Sequence, residues 1–153
     1  MPSSGAEAMS DYTIKRIIVG HVERGADLYN SIARIAQEHK LTMGRVTGMG
    51  AVQRAKLAYY DQRTMKYLDV TFPDPMEIVS LYGNISVREG KPFAHVHVVL
   101  SDDEGNSRGG HLLPDETPVF ACELVFEEFD GPQLVRSVDK TTGLALWARD
   151  AIL

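Results

Sequence analysis

Apolar positions in this chain recur mostly at every second residue, the period of a strand. Only one stretch repeats them at helical spacing. YTIKRIIVGHV (12–22) alternates and is rich in β-branched residues, which predicts a first strand with Ile14, Arg16, Ile18 and Gly20 on one face. ERGADLYNSIARIAQEHK follows. Leu28, Ile32, Ile35 and Ala36 fall at i, i+4, i+7 and i+8, one apolar stripe of a helix, with Asp27 as its N-cap. His39 and Lys40 close the helix, where positive charge meets the negative pole of the dipole, so His39 needs no further role. His21 reads as a strand-end or surface histidine.

GRVTGMGAV (44–52) carries Gly44, Gly48 and Gly50. The spacing is not GxGxxG and a helix precedes it, so it predicts a bent strand or one closely approached by another backbone, and not a dinucleotide loop. AKLAYYD and KYLDVTF predict a hairpin across DQRTM. Two long strands joined at REGK follow in MEIVSLYGNISVREGKPFAHVHVVL. After the loop LPDETP comes the strand VFACELVFEEF. QLVRSVDKTTGLALWARDAIL predicts one short strand and an apolar tail, with Leu144, Leu146, Trp147 and Ile152 docking on the sheet or on a neighbouring subunit. The organisation expected is an N-terminal arm (1–11), one domain (12–140) and that tail (141–153). Many strands with one helix predict an α+β domain built on a largely antiparallel sheet.

The chemistry concentrates in FAHVHVVLSDDEGNSRGGHL. His95 and His97 are two apart in an apolar strand, so both leave the same face. The polar loop turns the chain, and a hairpin would return His111 beside them. Three neutral imidazoles on a sheet suit a zinc ion with an open fourth position, with iron, nickel or copper as alternatives. A histidine in a strand is otherwise packed or solvated. Asn84, inside an apolar strand, is either a structural bridge or a polar group lining the same site. Glu123 stands among Ala121, Cys122, Leu124 and Val125. A carboxylate there is a ligand, a partner to a histidine, or a general acid/base, unless it pairs with an arginine or faces solvent. Cys122 points the other way and reads as inert core.

At 153 residues the chain is one domain, long enough to bury about 70% of its extended surface. A formal charge of −5 argues against a surface that binds DNA by its own electrostatics. The single cysteine excludes an intrachain disulfide and suits a reducing cytoplasm. No stretch approaches the ~20 apolar residues of a membrane span. The start, MPSSGAEAMSD, lacks the charged and apolar segments of a signal peptide.

Taken in order, Arg24-Gly25-Ala26-Asp27-Leu28, GRVTGMGAV, SLYGNI, GKPFAHVH, GGHL and ACELV resemble the plants and prokaryotes conserved (PPC) domain of bacterial type, over roughly residues 12 to 130. The resemblance implies a highly curved antiparallel sheet with one main helix, assembled as a homotrimer. It also implies similarity in fold and three-histidine site to acetolactate decarboxylase and to a human zinc-binding ester hydrolase. Carried over, His95, His97 and His111 match the metal ligands, Glu123 matches an acidic position, and Ser80–Ile85 matches the stretch plant members use for protein contacts. Bacterial members are commonly labelled DNA-binding or regulatory. This chain has no Arg-Gly-Arg AT-hook and is acidic, which argues against direct nucleic-acid binding.

Two functional expectations follow: a trimeric metal-binding module of a regulatory kind, and a small zinc metalloenzyme acting on a carbonyl compound by ester hydrolysis or decarboxylation. In the second, Glu123 shuttles a proton and Arg88 holds an anionic substrate.

Overall fold

The structure, a computed structural model, describes residues 9–148. β1 (Thr13–Val22) leads into α1 (Leu28–Glu38), and then come β2 (Gly44–Val52), β3 (Ala55–Asp61) and β4 (Lys66–Phe72). β5 (Met76–Arg88) and β6 (Lys91–Ser101) are the two long strands. β7 (Ser107–Leu112), β8 (Val119–Asp130), β9 (Arg136–Val138) and β10 (Ala145–Trp147) complete the chain. The first eight strands form one sheet in the order β1-β8-β2-β5-β6-β7-β3-β4, antiparallel at every ladder. With one helix among the described residues, the domain is α+β.

α1 begins where Asp27 ends the extended chain: its Oδ1 accepts from Asn30 N at 2.9 Å, and its Oδ2 accepts from Thr117 N. It ends at His39, where the Leu41 N–H donates to the Ala36 carbonyl and Lys40 N–H to Gln37, with Lys40 at φ 54. That pair of bonds is the Schellman arrangement, here with lysine in the left-handed position usually given to glycine. Leu28, Ile32 and Ala36 share one buried cluster with Val96, Val98 and Leu100 of β6 and with Leu124 and Phe126 of β8. One face of the sheet therefore belongs to the core.

The glycine-rich strand is central and tightly flanked. A Cβ on Gly50, at φ +148, would lie 2.0 Å from the Ala121 carbonyl oxygen, and one on Gly44 would lie 2.3 Å from that of Glu127. Close approach of β8 is what these positions require, as the sequence predicts.

The opposite face is organised in rows. Val19, Val125, Thr47, Tyr82, His97 and His111 are successive cross-strand partners on β1, β8, β2, β5, β6 and β7. Glu127, Arg45, Asn84 and His95 make the next row. The C-terminal segment differs from expectation. It contains two short strands, and β10 pairs with β9 as a hairpin. Ile152 lies outside the described residues. The hairpin sits over the His95 end of this face, while among the described residues the rest of the face is bare. There Ile17, Val19, Met49, Val79, Tyr82, Val99 and Val125 are exposed.

Candidate metal centre

His95 and His97 share a face because side chains on β6 alternate, and His111 joins them because the β6–β7 ladder pairs it with His97. Ring centroids lie 4.9 Å (His95–His97), 5.0 Å (His95–His111) and 5.6 Å (His97–His111) apart. One ring nitrogen of each falls within 4.8 Å of the others. His95 Nε2 and His97 Nε2 are 3.1 Å apart. Two nitrogens bound at ~2.0–2.1 Å to one tetrahedral ion would be roughly 3.3 Å apart, so the spacing suits a shared cation.

A second observation tests the fit. His111 Nδ1 is buried and has no hydrogen-bond partner among the described residues. A buried ring nitrogen without a partner carries a desolvation cost that a cation or ligand at the cluster would relieve. Protonation is also disfavoured. Burial pushes His95 and His111 down to about 4, with the neighbouring rings adding repulsion, and burial lowers His97 as well. All three rings are therefore neutral near pH 7, with lone pairs free to donate. The donor set fits a transition metal.

A cavity of about 230 Å³ opens beside His95 and His111. Its walls come from Tyr67 of β4, Phe93 of β6 and Arg88 at the end of β5, and the β9–β10 hairpin forms the roof. The Tyr67 ring lies 5.1 Å from that of His111. Arg136 of β9 is 8% exposed and reaches down to the sheet. Its Nε donates to Ser86 Oγ at 2.8 Å, its Nη1 to the Ala145 carbonyl at 2.7 Å and its Nη2 to Asn84 Oδ1 at 2.6 Å. Burial and the charge of Arg88 hold this guanidinium below its ordinary value. Asn84 is thus a bridge to the roof, standing opposite His95 on the neighbouring strand.

The expected site residues divide clearly. His95, His97, His111 and Arg88 come together. Glu123 does not join them within one chain: it stands in the row of His21 and Met49, three strands from β6, roughly 14 Å sideways at ~4.8 Å per strand. The alternation explains why. Cys122 and Leu124 face the core, so Glu123 faces outward and is exposed, and its apolar sequence neighbours do not bury it. Cys122 is core as expected, its thiol pushed up to about 11 chiefly by burial. His21 lies at the surface, 3.4 Å from Glu23.

Arg136 and Tyr67 are site residues that the sequence reading does not pick out. Arg136 falls on the same strand parity as Leu134 and Val138, so a charge on an apolar stripe is its signal.

A mostly antiparallel α+β sheet carrying a three-histidine cluster defines the class. The chain belongs to the Plants and Prokaryotes Conserved (PCC, also written PPC) domain family, whose model matches residues 9–130. It is similar to a metal-containing protein from Archaeoglobus fulgidus, with 34% identity and a TM-score of 0.85 over 92% of this chain and 98% of that one. A plant- and prokaryote-conserved protein from Pyrococcus horikoshii is 30% identical, with a TM-score of 0.86 over 93% of this chain and 97% of that one. Among curated proteins, a bifunctional protein GlmU from Synechococcus sp. (strain JA-3-3Ab) is 30% identical over 120 residues. That stretch is 78% of this chain and 18% of the longer protein, so this chain corresponds to under a fifth of it.

Proposed function

We propose that this chain is a metal-binding domain acting as a homotrimer, in which His95, His97 and His111 hold one zinc or another divalent transition ion. The observation that carries the reading is the convergence of three neutral ring nitrogens within 4.8 Å, beside the orphaned His111 Nδ1. The metal-containing relative from Archaeoglobus supports it. An ion held this way supplies Lewis acidity, polarising a carbonyl or lowering the pKa of its water toward ~7. The chain's own residues prepare the place: β6 and β7 fix the rings, burial keeps them unprotonated, and the β9–β10 roof shields one side from bulk water.

The second reading, a small metalloenzyme acting on a carbonyl compound by ester hydrolysis or decarboxylation, is favoured by the cavity beside the rings. Arg88 would hold a charged substrate there. No role is assigned to Glu123 within its own chain.

Assembly of identical chains is supported by the bare face. Seven apolar residues on five adjacent strands are 36% to 72% exposed. A sheet face of this kind ordinarily marks an interface. Its match is a second copy, and three copies are what the family resemblance implies. The acidic balance, 16 Lys and Arg against 21 Asp and Glu, argues against DNA binding by the chain's own electrostatics. Fluorescence anisotropy of a labelled duplex at low salt should stay unchanged.

The test is metal content per chain by plasma mass spectrometry on untagged protein, wild type beside His97→Ala. Close to one ion per chain, lost in the variant, is expected. No ion in the wild type after zinc is offered would overturn the reading.

A further inference from the structure

We propose that Arg136 and Arg88 bind the carboxylate of a small 2-hydroxy or 2-oxo acid in the cavity beside the histidines, with the acid's second oxygen turned toward the rings. The inference deepens the metal-site reading and rests on it for that second oxygen. The carboxylate contact stands on the arginines.

Arg136 is 8% exposed, yet each of its three hydrogen bonds goes to a neutral acceptor: Ser86 Oγ, the Ala145 carbonyl and Asn84 Oδ1. A guanidinium has five N–H bonds, so two remain, and no carboxylate lies within ion-pair distance of Arg136 or Arg88 among the described residues. Both arginines line the cavity, and among the described residues no Asp or Glu does. A buried guanidinium without an anion is costly, and a second one facing the same cavity adds repulsion. An incoming anion relieves both.

The arginines are held as if for a ligand. Arg136 lies between the rings of Phe93 and Trp147, 5.5 and 5.8 Å from their centroids, and Arg88 lies 5.3 Å from the same Phe93 ring. The aromatic faces and the three neutral bonds fix the Arg136 fork in place without neutralising it, which is the preorganisation that planar, two-point recognition of a carboxylate requires.

Size and position set the rest of the ligand. About 230 Å³ is below the ~300–1,000 Å³ of pockets that take drug-sized molecules, so the acid is compact. His95 and His111 line the same cavity, so a molecule anchored at the arginines has its other end at the rings. Inorganic phosphate shares the charge but has no arm to span that distance. Arg136 also lies beyond residue 130, where the family match ends, so this half of the pocket is contributed by the C-terminal hairpin.

The experiment is isothermal titration of the full-length, zinc-loaded protein with lactate, with lactamide (equal in size, uncharged) and with inorganic phosphate, metal content being measured on the same samples. Lactate should bind about tenfold or more tightly than lactamide. Arg88→Met and Arg136→Lys should each weaken lactate by about tenfold with one ion per chain retained, and Arg136→Lys keeps a positive charge in case loss of the roof bonds unfolds a larger change. Equal binding of lactate and lactamide, binding of phosphate alone, or lactate affinity unmoved by Arg88→Met would overturn the proposal, even with zinc in place. Lactate binding that depends on Arg88 in a protein without metal would support the arginine contact while refuting the metal reading.

Discussion

His111 on β7 stands directly opposite His97 on β6, so the register of one antiparallel ladder decides whether three histidines become one cluster. Side-chain direction alternates along a strand, and a slip of one residue would turn His111 to the core face while leaving His95 and His97 in place. Both residues lie in the row that includes Tyr82, which ties the cluster to the edge of the bare apolar face.

Removing this third ring should weaken metal binding strongly while the sheet remains. Loss of a group that merely orients a ligand costs about 10–100-fold in affinity, so His111→Ala should cost more than about 100-fold. Glu123→Gln, in a position exposed and three strands away, should leave metal content unchanged. Competition with a chromogenic chelator measures both, and an equal loss in the two variants would contradict the placement of the site.

Metal-free protein should lose stability as the solution is acidified. His95 and His111 titrate at about 4 in the folded chain and near ~6.5 when unfolded. Between those values the unfolded chain binds more protons, so stability falls as pH drops from about 6.5 to about 4 and this contribution levels off below. Above about 6.5 both rings are neutral in either state and contribute no slope. Thermal denaturation in chelator from about pH 7 down to about pH 4 should show the decline, and His95→Asn with His111→Asn should flatten it.

Charge placed on the bare face should separate the copies. Val79 is 58% exposed at the centre of that face, so Val79→Glu has little to disturb within its own chain. In an assembly it would bury an unpaired carboxylate at each contact, a cost of several kcal/mol by order of magnitude. Sedimentation equilibrium should move from a multiple of 16.9 kDa to 16.9 kDa itself, with the circular dichroism of the sheet retained. A wild type already at 16.9 kDa would refute the assembly.

Gly50→Ala should be among the most damaging single-methyl additions in the chain. The new Cβ would meet a carbonyl oxygen at 2.0 Å on a backbone at φ +148, between two strands with no slack. A cost of about 2 kcal/mol or more is expected, read as a lower midpoint in urea.

Much of the fold is legible along the chain because its local signals agree. The Asp27 cap, the single helical stripe and the alternating runs each place an element where it is found. The His95–His97 pair is equally local, since period two puts both rings on one face. His111 needed one further inference, that the loop between β6 and β7 closes a hairpin, and Arg88 came from proximity to the same strands.

Glu123 and Arg136 show what alternation along a single strand leaves open. Each is a charge in an apolar run, and the run cannot say whether the alternating face is covered. For Glu123 that face is bare among the described residues, so its own chain leaves the carboxylate exposed. For Arg136 the β9–β10 hairpin folds over the sheet, and the guanidinium is buried against Asn84 and Ser86, some fifty residues earlier in the chain. The sequence by itself determined most of the strands, the helix and two histidines on one face, because these depend on periods of two and 3.6 residues. Tertiary structure alone decided the second strand of the C-terminal hairpin, the outward place of Glu123 within its own chain and the arginine over the cavity, because strand order and the path of a hairpin across a sheet follow from burial summed over the whole chain.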